Sequence, residues 1–140
     1  MKLSTRSKYG LRAMVELASR DGETCVPLKS IAIKHGMSEY YLEQLFAPLK
    51  KAGLVTSVRG AQGGYKLNRQ PENITAGDVI RVLEGSISPV ECLDDETAVC
   101  LSANCENCNT KPVWARLQEG VKEALDTIYL SELAGVENND

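Results

Sequence analysis

Between Leu28 and Leu67 the hydrophobic period changes from helical to extended, and glycines punctuate the change. Leu28, Ile31 and Ala32 share one face of a short helix that reaches about His35 and is closed by Gly36. Ser38 then stands as an N-cap ahead of a longer pattern from Glu39 to about Ala52, with Leu42, Leu45, Phe46 and Leu49 inward. Pro48 falls inside that pattern and leaves the carbonyl of Gln44 without its usual donor, so a bend is expected there. After Gly53, Leu54–Val58 is rich in β-branched residues and reads as a strand. The turn Arg59-Gly60-Ala61-Gln62-Gly63-Gly64 leads to a second short strand, Tyr65–Leu67. Two short helices joined at a glycine and followed by a hairpin describe a winged helix-turn-helix. The expected fold class is mainly α with a small β-hairpin, completed by a long C-terminal dimerisation helix.

The flanking segments fit that plan. Leu11, Met14, Val15 and Ala18 give Leu3–Arg20 a helical face, and Thr75 can cap a helix running to about Glu84. From Gly85 to Asn109 no period holds, a long connector for a compact domain. Thr110 and Pro112 suit the start of a last helix. Its positions Trp114, Leu117, Val121, Ala124 and Ile128 form an a/d seam over about two heptads. Such a seam serves either a paired helix or one packed on its own domain. The organisation read here is 1–84 for DNA binding, 85–109 as a cysteine-rich sensor loop, 110–134 as the dimerisation helix and 135–140 as a frayed tail.

Charge divides the chain in two. Residues 1–70 carry twelve Lys and Arg against five Asp and Glu, whereas residues 71–140 carry four against fourteen. The net charges are therefore +7 and −10, and a basic half facing a polyanion is the natural inference. No run approaches the ~18 apolar residues of a membrane span, and the N-terminus lacks the apolar stretch of a signal peptide. A cytoplasmic location is expected, with no membrane partner. No nucleophile–base pair or P-loop appears, so an enzyme is not expected.

Within the basic half, the outer face of the second helix carries Ser38, Tyr40, Tyr41, Glu43 and Gln44 near its N-terminus. A recognition helix reads base edges from there. Gln44 suits adenine, Glu43 can accept from cytosine N4, and the tyrosines reach phosphate or a thymine methyl. At the hairpin tip, Arg59 suits phosphate or a narrow minor groove, while Gly60, Gln62, Gly63 and Gly64 allow close backbone approach. Lys2, Arg6 and Lys8 add charge at the N-terminus for backbone contacts. The expected partner is double-stranded operator DNA.

Four of the five cysteines, Cys92, Cys100, Cys105 and Cys108, fall within 17 residues. Four soft thiolates in one turn-rich loop can hold a tetrahedral zinc or an iron–sulfur cluster, and spacing alone does not separate the two. A disulfide framework is disfavoured by the odd count and the absence of a secretion signal. Cys25 stands apart and reads as structural, and His35 reads as a favourable helix C-terminal charge.

The run YYLEQLFAPLKKAGLVTSVRGAQGGYKL, with ITAGDVIRVLEG after it, resembles the Rrf2 family of bacterial transcription regulators, whose branches include IscR, NsrR and CymR. The similarity spans nearly the whole chain. It implies a homodimer, with the last helix making most of the contact, and it places Ser38, Tyr41, Gln44 and Arg59 at DNA. Cluster-binding members carry three loop cysteines, to which Cys92, Cys100 and Cys108 correspond, the last six residues before Trp114. The histidine that serves IscR-type members as fourth ligand is replaced by Lys111. Where NsrR-type members use a first-helix carboxylate, this chain has Lys8, which makes Cys105 a local candidate. The resemblance thus implies an iron–sulfur cluster, either 2Fe-2S or 4Fe-4S, as the regulating cofactor. Zinc, or a thiol-redox switch, is the alternative. A further alternative is a CymR-like repressor of cysteine metabolism acting through a cysteine-synthesis enzyme as partner.

Overall fold

Helix α1 (Thr5–Ser19) packs against several other elements in the computed structural model, which describes residues 2–20, 25–89 and 109–135. Its inward face alternates small and large residues, Gly10, Ala13, Met14, Leu17 and Ala18, so neighbouring helices approach closely. A Cβ at Gly10 would overlap the Cδ1 methyl of Leu83, so glycine lets that side chain lie directly against α1.

Helix α2 (Leu28–His35) buries Leu28, Ile31 and Ala32 and ends at Gly36, whose φ of +66° is the left-handed cap that glycine adopts without penalty. Helix α3 (Glu39–Lys51) begins as its sequence predicts, with the Ser38 hydroxyl accepting from the Tyr41 N–H at 3.0 Å. It continues through Pro48 to Lys51, burying Leu42, Leu45, Phe46 and Leu49. Strands β1 (Val55–Val58) and β2 (Gly64–Leu67) pair antiparallel, Val55 opposite Leu67 and Val58 opposite Gly64. A single 3₁₀ turn (Pro71–Asn73) leads to α4 (Ala76–Glu84). There Thr75 and Asp78 form a reciprocal capping box, each side chain accepting from the other's N–H at 3.0 Å.

The seam helix is shorter than its sequence suggests. Helix α5 (Lys111–Asp126) stops two residues before Ile128. The Thr127 hydroxyl turns back onto the Glu123 carbonyl at 2.7 Å, and the chain then extends to meet the start of α4. Ala76 N–H donates to the Ile128 carbonyl at 2.8 Å, and Leu130 N–H to the Ile74 carbonyl at 2.9 Å. A separate helix, α6 (Leu130–Ala134), follows and inserts the fully buried Leu130 into the core with Met14, Phe46 and Ile74. Trp114, Leu117, Val121 and Ala124 therefore lie on α5, whereas Ile128 lies beyond it. Backbone pairing to a neighbouring segment outweighed the heptad pattern. Among the described helices, none is long and apolar enough to cross a membrane.

Glu16 is a buried acidic side chain, and Arg20, Lys34 and His35 converge on it. Arg20 and Lys34 reach one carboxylate oxygen at 2.9 and 3.0 Å, and the His35 ring lies 3.2 Å from the other. Burial pushes the Glu16 carboxyl up, but hydrogen bonds from Lys34 and His35 and the charges of Lys34 and Arg20 pull it down further, to below its ordinary value. His35 thus joins α2 to α1, beyond the helix-end role read from its position. A lowered folded pKa means that this stabilisation is complete above the ordinary glutamate pKa. It disappears as pH falls through the lowered folded value. Glu16→Gln is expected to cost about 1–3 kcal/mol at neutral pH and to flatten the acid side of the stability profile, as denaturant titrations across the acid range will show.

Candidate nucleic-acid interface

Because α3 buries its whole apolar stripe, its other face is left to solvent. Tyr40 is 71% exposed, and Ser38, Glu43 and Gln44 are exposed beside it. Tyr41 differs. It is half-buried and meets the Tyr9 ring edge-on at 6.1 Å and 89°, so it joins α3 to α1. Arg12 in turn sits over Tyr9, 5.5 Å from the ring centroid.

The hairpin is held against the helices from two sides. Tyr65 and Val26 exchange backbone hydrogen bonds at 2.8 and 2.9 Å, which adds the entry to α2 as a third extended segment. Phe46 of α3 packs on the Tyr65 ring at 4.9 Å, and Lys50 donates to the Ser57 hydroxyl at 2.7 Å. Gly64 lies in β2 at the closest approach, where a Cβ would overlap the Val26 carbonyl oxygen. The beginning of the turn needs glycine for its backbone, since Gly60 has a φ of +117°. Arg59, Gly60 and Gln62 are exposed at the tip, Gly63 and Gly64 are half-buried, and the Cys25 thiol donates to the Gln62 carbonyl.

The N-terminal charges separate. Lys2 and Lys8 are exposed. Arg6 donates from its guanidinium to the Leu83 carbonyl at 2.6 Å, so its charge is committed to the C-terminal end of α4. Cys92, Cys100, Cys105 and Cys108 lie outside the described residues. On α5 none of the sixteen residues is buried, and Val113, Trp114 and Leu117 are 58%, 37% and 44% exposed. Val121 and Leu125 are half-buried, and a polar contact fastens the helix end. Arg81 grips Asp126 through both oxygens, at 2.7 and 2.8 Å, over a Gly77 too close for any side chain.

Sequence reasoning missed Tyr9, Arg12 and Lys50. Tyr9 and Arg12 lie on a helix read for its apolar face and Lys50 lies far from the N-terminal turn of its own helix, and no signal in the sequence announces a ring pair or a bond across elements.

A family model for Rrf2, described as an iron-dependent transcriptional regulator, matches residues 3–135. The HTH-type transcriptional regulator CymR of Bacillus subtilis strain 168 is 52% identical over 134 residues, covering 96% of this chain and 90% of that one. The solved structure of CymR, the global cysteine regulator of B. subtilis, superposes with a TM-score of 0.81 at 48% identity, covering 99% of each chain. T. potens IscR gives 0.75 at 46% identity, covering 98% of this chain and 89% of that one.

The tight seat of the hairpin is testable. Gly64→Ala is expected to loosen it at a cost of about 1–3 kcal/mol. The Tyr65 and Val26 amides should then exchange with deuterium faster, while the Leu45 and Phe46 amides of α3 stay protected.

Proposed function

The chain belongs to the Rrf2 family and is a transcriptional regulator rather than an enzyme, and from that premise we propose a homodimer that binds operator DNA under the control of an iron–sulfur cluster. The observation that carries the DNA reading is α3 itself: its apolar stripe is buried to the last residue, and its polar face stands open beside a wing with Arg59 exposed at its tip. Ser38, Tyr40, Glu43 and Gln44 read base edges, and Arg59, Gly60, Gln62, Gly63 and Gly64 approach the backbone or minor groove. Lys2 and Lys8 add phosphate contacts, while Tyr41 orients the helix through Tyr9.

The homodimer reading is supported by α5. Among the described residues no side chain of this amphipathic helix is fully buried, and the exposed Val113, Trp114 and Leu117 are available to a second copy. Residues 1–84 then form the reading head, and α5 sets the separation of the two heads.

Cys92, Cys100, Cys105 and Cys108 would hold the cluster, and four soft thiolates suit its chemistry. The family description, iron-dependent, supports iron over zinc. Bound there, the cluster supplies a redox-sensitive and loss-sensitive centre between α4 and α5. Its gain or loss changes operator affinity if the two states favour different settings of the heads. The 52% identity to CymR supports a second reading, in which the same DNA-binding dimer governs cysteine metabolism through an enzyme of cysteine synthesis.

Protein purified without oxygen is expected to be brown, to contain iron and sulfide, and to differ about tenfold or more in operator affinity between loaded and stripped forms. Colourless protein with zinc, or equal affinities, contradicts the cluster reading. Cys105→Ser is expected to lower the iron content, and unchanged content removes Cys105 from the ligand set. On the DNA side, Arg59→Ala should reduce the salt slope of binding by about one. Gln44→Ala should cost about 1–3 kcal/mol and relax preference at one base pair. Gel-shift titrations over a range of salt concentrations measure both.

A further inference from the structure

The first turn of α1 lacks what a helix start usually supplies. It contains no acidic residue, and Ser4, at the N-cap, makes no side-chain cap; its hydroxyl oxygen is buried without a partner among the described residues. The missing acceptor comes from the far side of the chain. Glu84, the last residue of α4, accepts from the Ser4 N–H, and the buried Ser7 hydroxyl donates to the same carboxylate oxygen at 2.7 Å. The exchange is reciprocal. Arg6, in the first turn of α1, donates to the Leu83 carbonyl at 2.6 Å and so caps the C-terminal end of α4. Each helix end carries the charge that the other's dipole favours.

Behind this double cap the two helices are keyed together by Gly10, which leaves no room between α1 and Leu83. Immediately before Gly10, Tyr9 meets Tyr41 edge-on. The Tyr41 N–H is the group that Ser38 caps at the start of α3. A contiguous set of contacts therefore runs from the last residue of α4, immediately before Gly85, to the N-terminal turn of the helix that faces DNA.

We propose that Glu84 is a positioning residue for DNA recognition: through its cap on Ser4 and Ser7 it fixes α1, and through Tyr9 and Tyr41 it sets the pose of α3. The inference rests on the DNA-regulator reading and names the residue by which the segment after Gly85 is joined to the reading helix. Loss of the cap lets α1 shift at its N-terminal end. Phosphate contacts from exposed lysines tolerate such a shift, but base-edge hydrogen bonds do not. Glu84 touches no base; it acts through α1.

The test uses the full chain and two duplexes. One is selected by the wild-type protein from a randomised pool, and the other is a shuffled sequence of the same length. Glu84→Ala is expected to weaken binding to the selected duplex about tenfold, with shuffled-duplex binding and the salt slope unchanged. Glu84→Gln, which keeps an acceptor, should restore most of the loss. Ser7→Ala, a milder change that leaves the charge in place, should lose about threefold. In a double-mutant cycle Glu84→Ala and Tyr9→Leu should be less than additive, since they interrupt one path. Unaltered selection in Glu84→Ala and Ser7→Ala overturns the proposal. Equal weakening on both duplexes, tracking a lower melting temperature, also overturns it, because a purely structural cap would do that. A wild-type protein that enriches no duplex from the pool contradicts the regulator reading itself, a result distinct from either.

Discussion

The complete burial of one stripe of α3 is the constraint on which the rest of the molecule depends. Leu42, Leu45, Phe46 and Leu49 all reach the core, and each is worth about 1.5–3 kcal/mol against exposure. No rotation of the helix about its axis keeps them there, so the directions of Tyr40, Glu43 and Gln44 are fixed as a by-product of packing. The same Phe46 seats the hairpin through Tyr65, so reading helix and wing are positioned by one side chain. Function here is the unburied remainder of a well-packed helix.

Much of this was legible in the sequence because short-range physics dictates it. Ser38, Gly36 and Thr75 mark helix ends by their own hydrogen-bonding and backbone preferences, and each does so in the structure. The glycine turn between two short extended runs likewise becomes the wing. Contacts that cross the chain were not legible. The approach of Lys34 and His35 to Glu16, the Tyr9–Tyr41 ring pair and the Glu84 cap join residues whose separation in sequence carries no period. The end of α5 was misjudged for a related reason. A heptad pattern describes what one helix face prefers, but by leaving the helix the chain pairs Ile128 with Ala76 and Leu130 with Ile74 through backbone hydrogen bonds. The four clustered cysteines lie outside the described residues, and their role rests on thiolate chemistry and on the family.

The two ends of α5 are treated differently by the fold. Its C-terminal end is fastened to α4 by the bidentate Arg81–Asp126 pair and the Thr75–Tyr129 bridge, whereas Val113, Trp114 and Leu117 near its start stay exposed among the described residues. A helix fixed at one end and exposed near the other is suited to pairing with another copy while transmitting its orientation to the head that holds it. Polar fastening carries that geometry without needing a second core, and Gly77 lets the ion pair close against the backbone of α4.

The central claim, that two copies joined along α5 present two α3 helices to one duplex, is tested most directly by hydroxyl-radical footprinting of the full chain on a selected operator. Two equivalent protected patches, related by two-fold symmetry and centred about one helical turn (roughly 34 Å) or a multiple of it apart, are the predicted result. A single unsymmetrical patch the width of one head contradicts it.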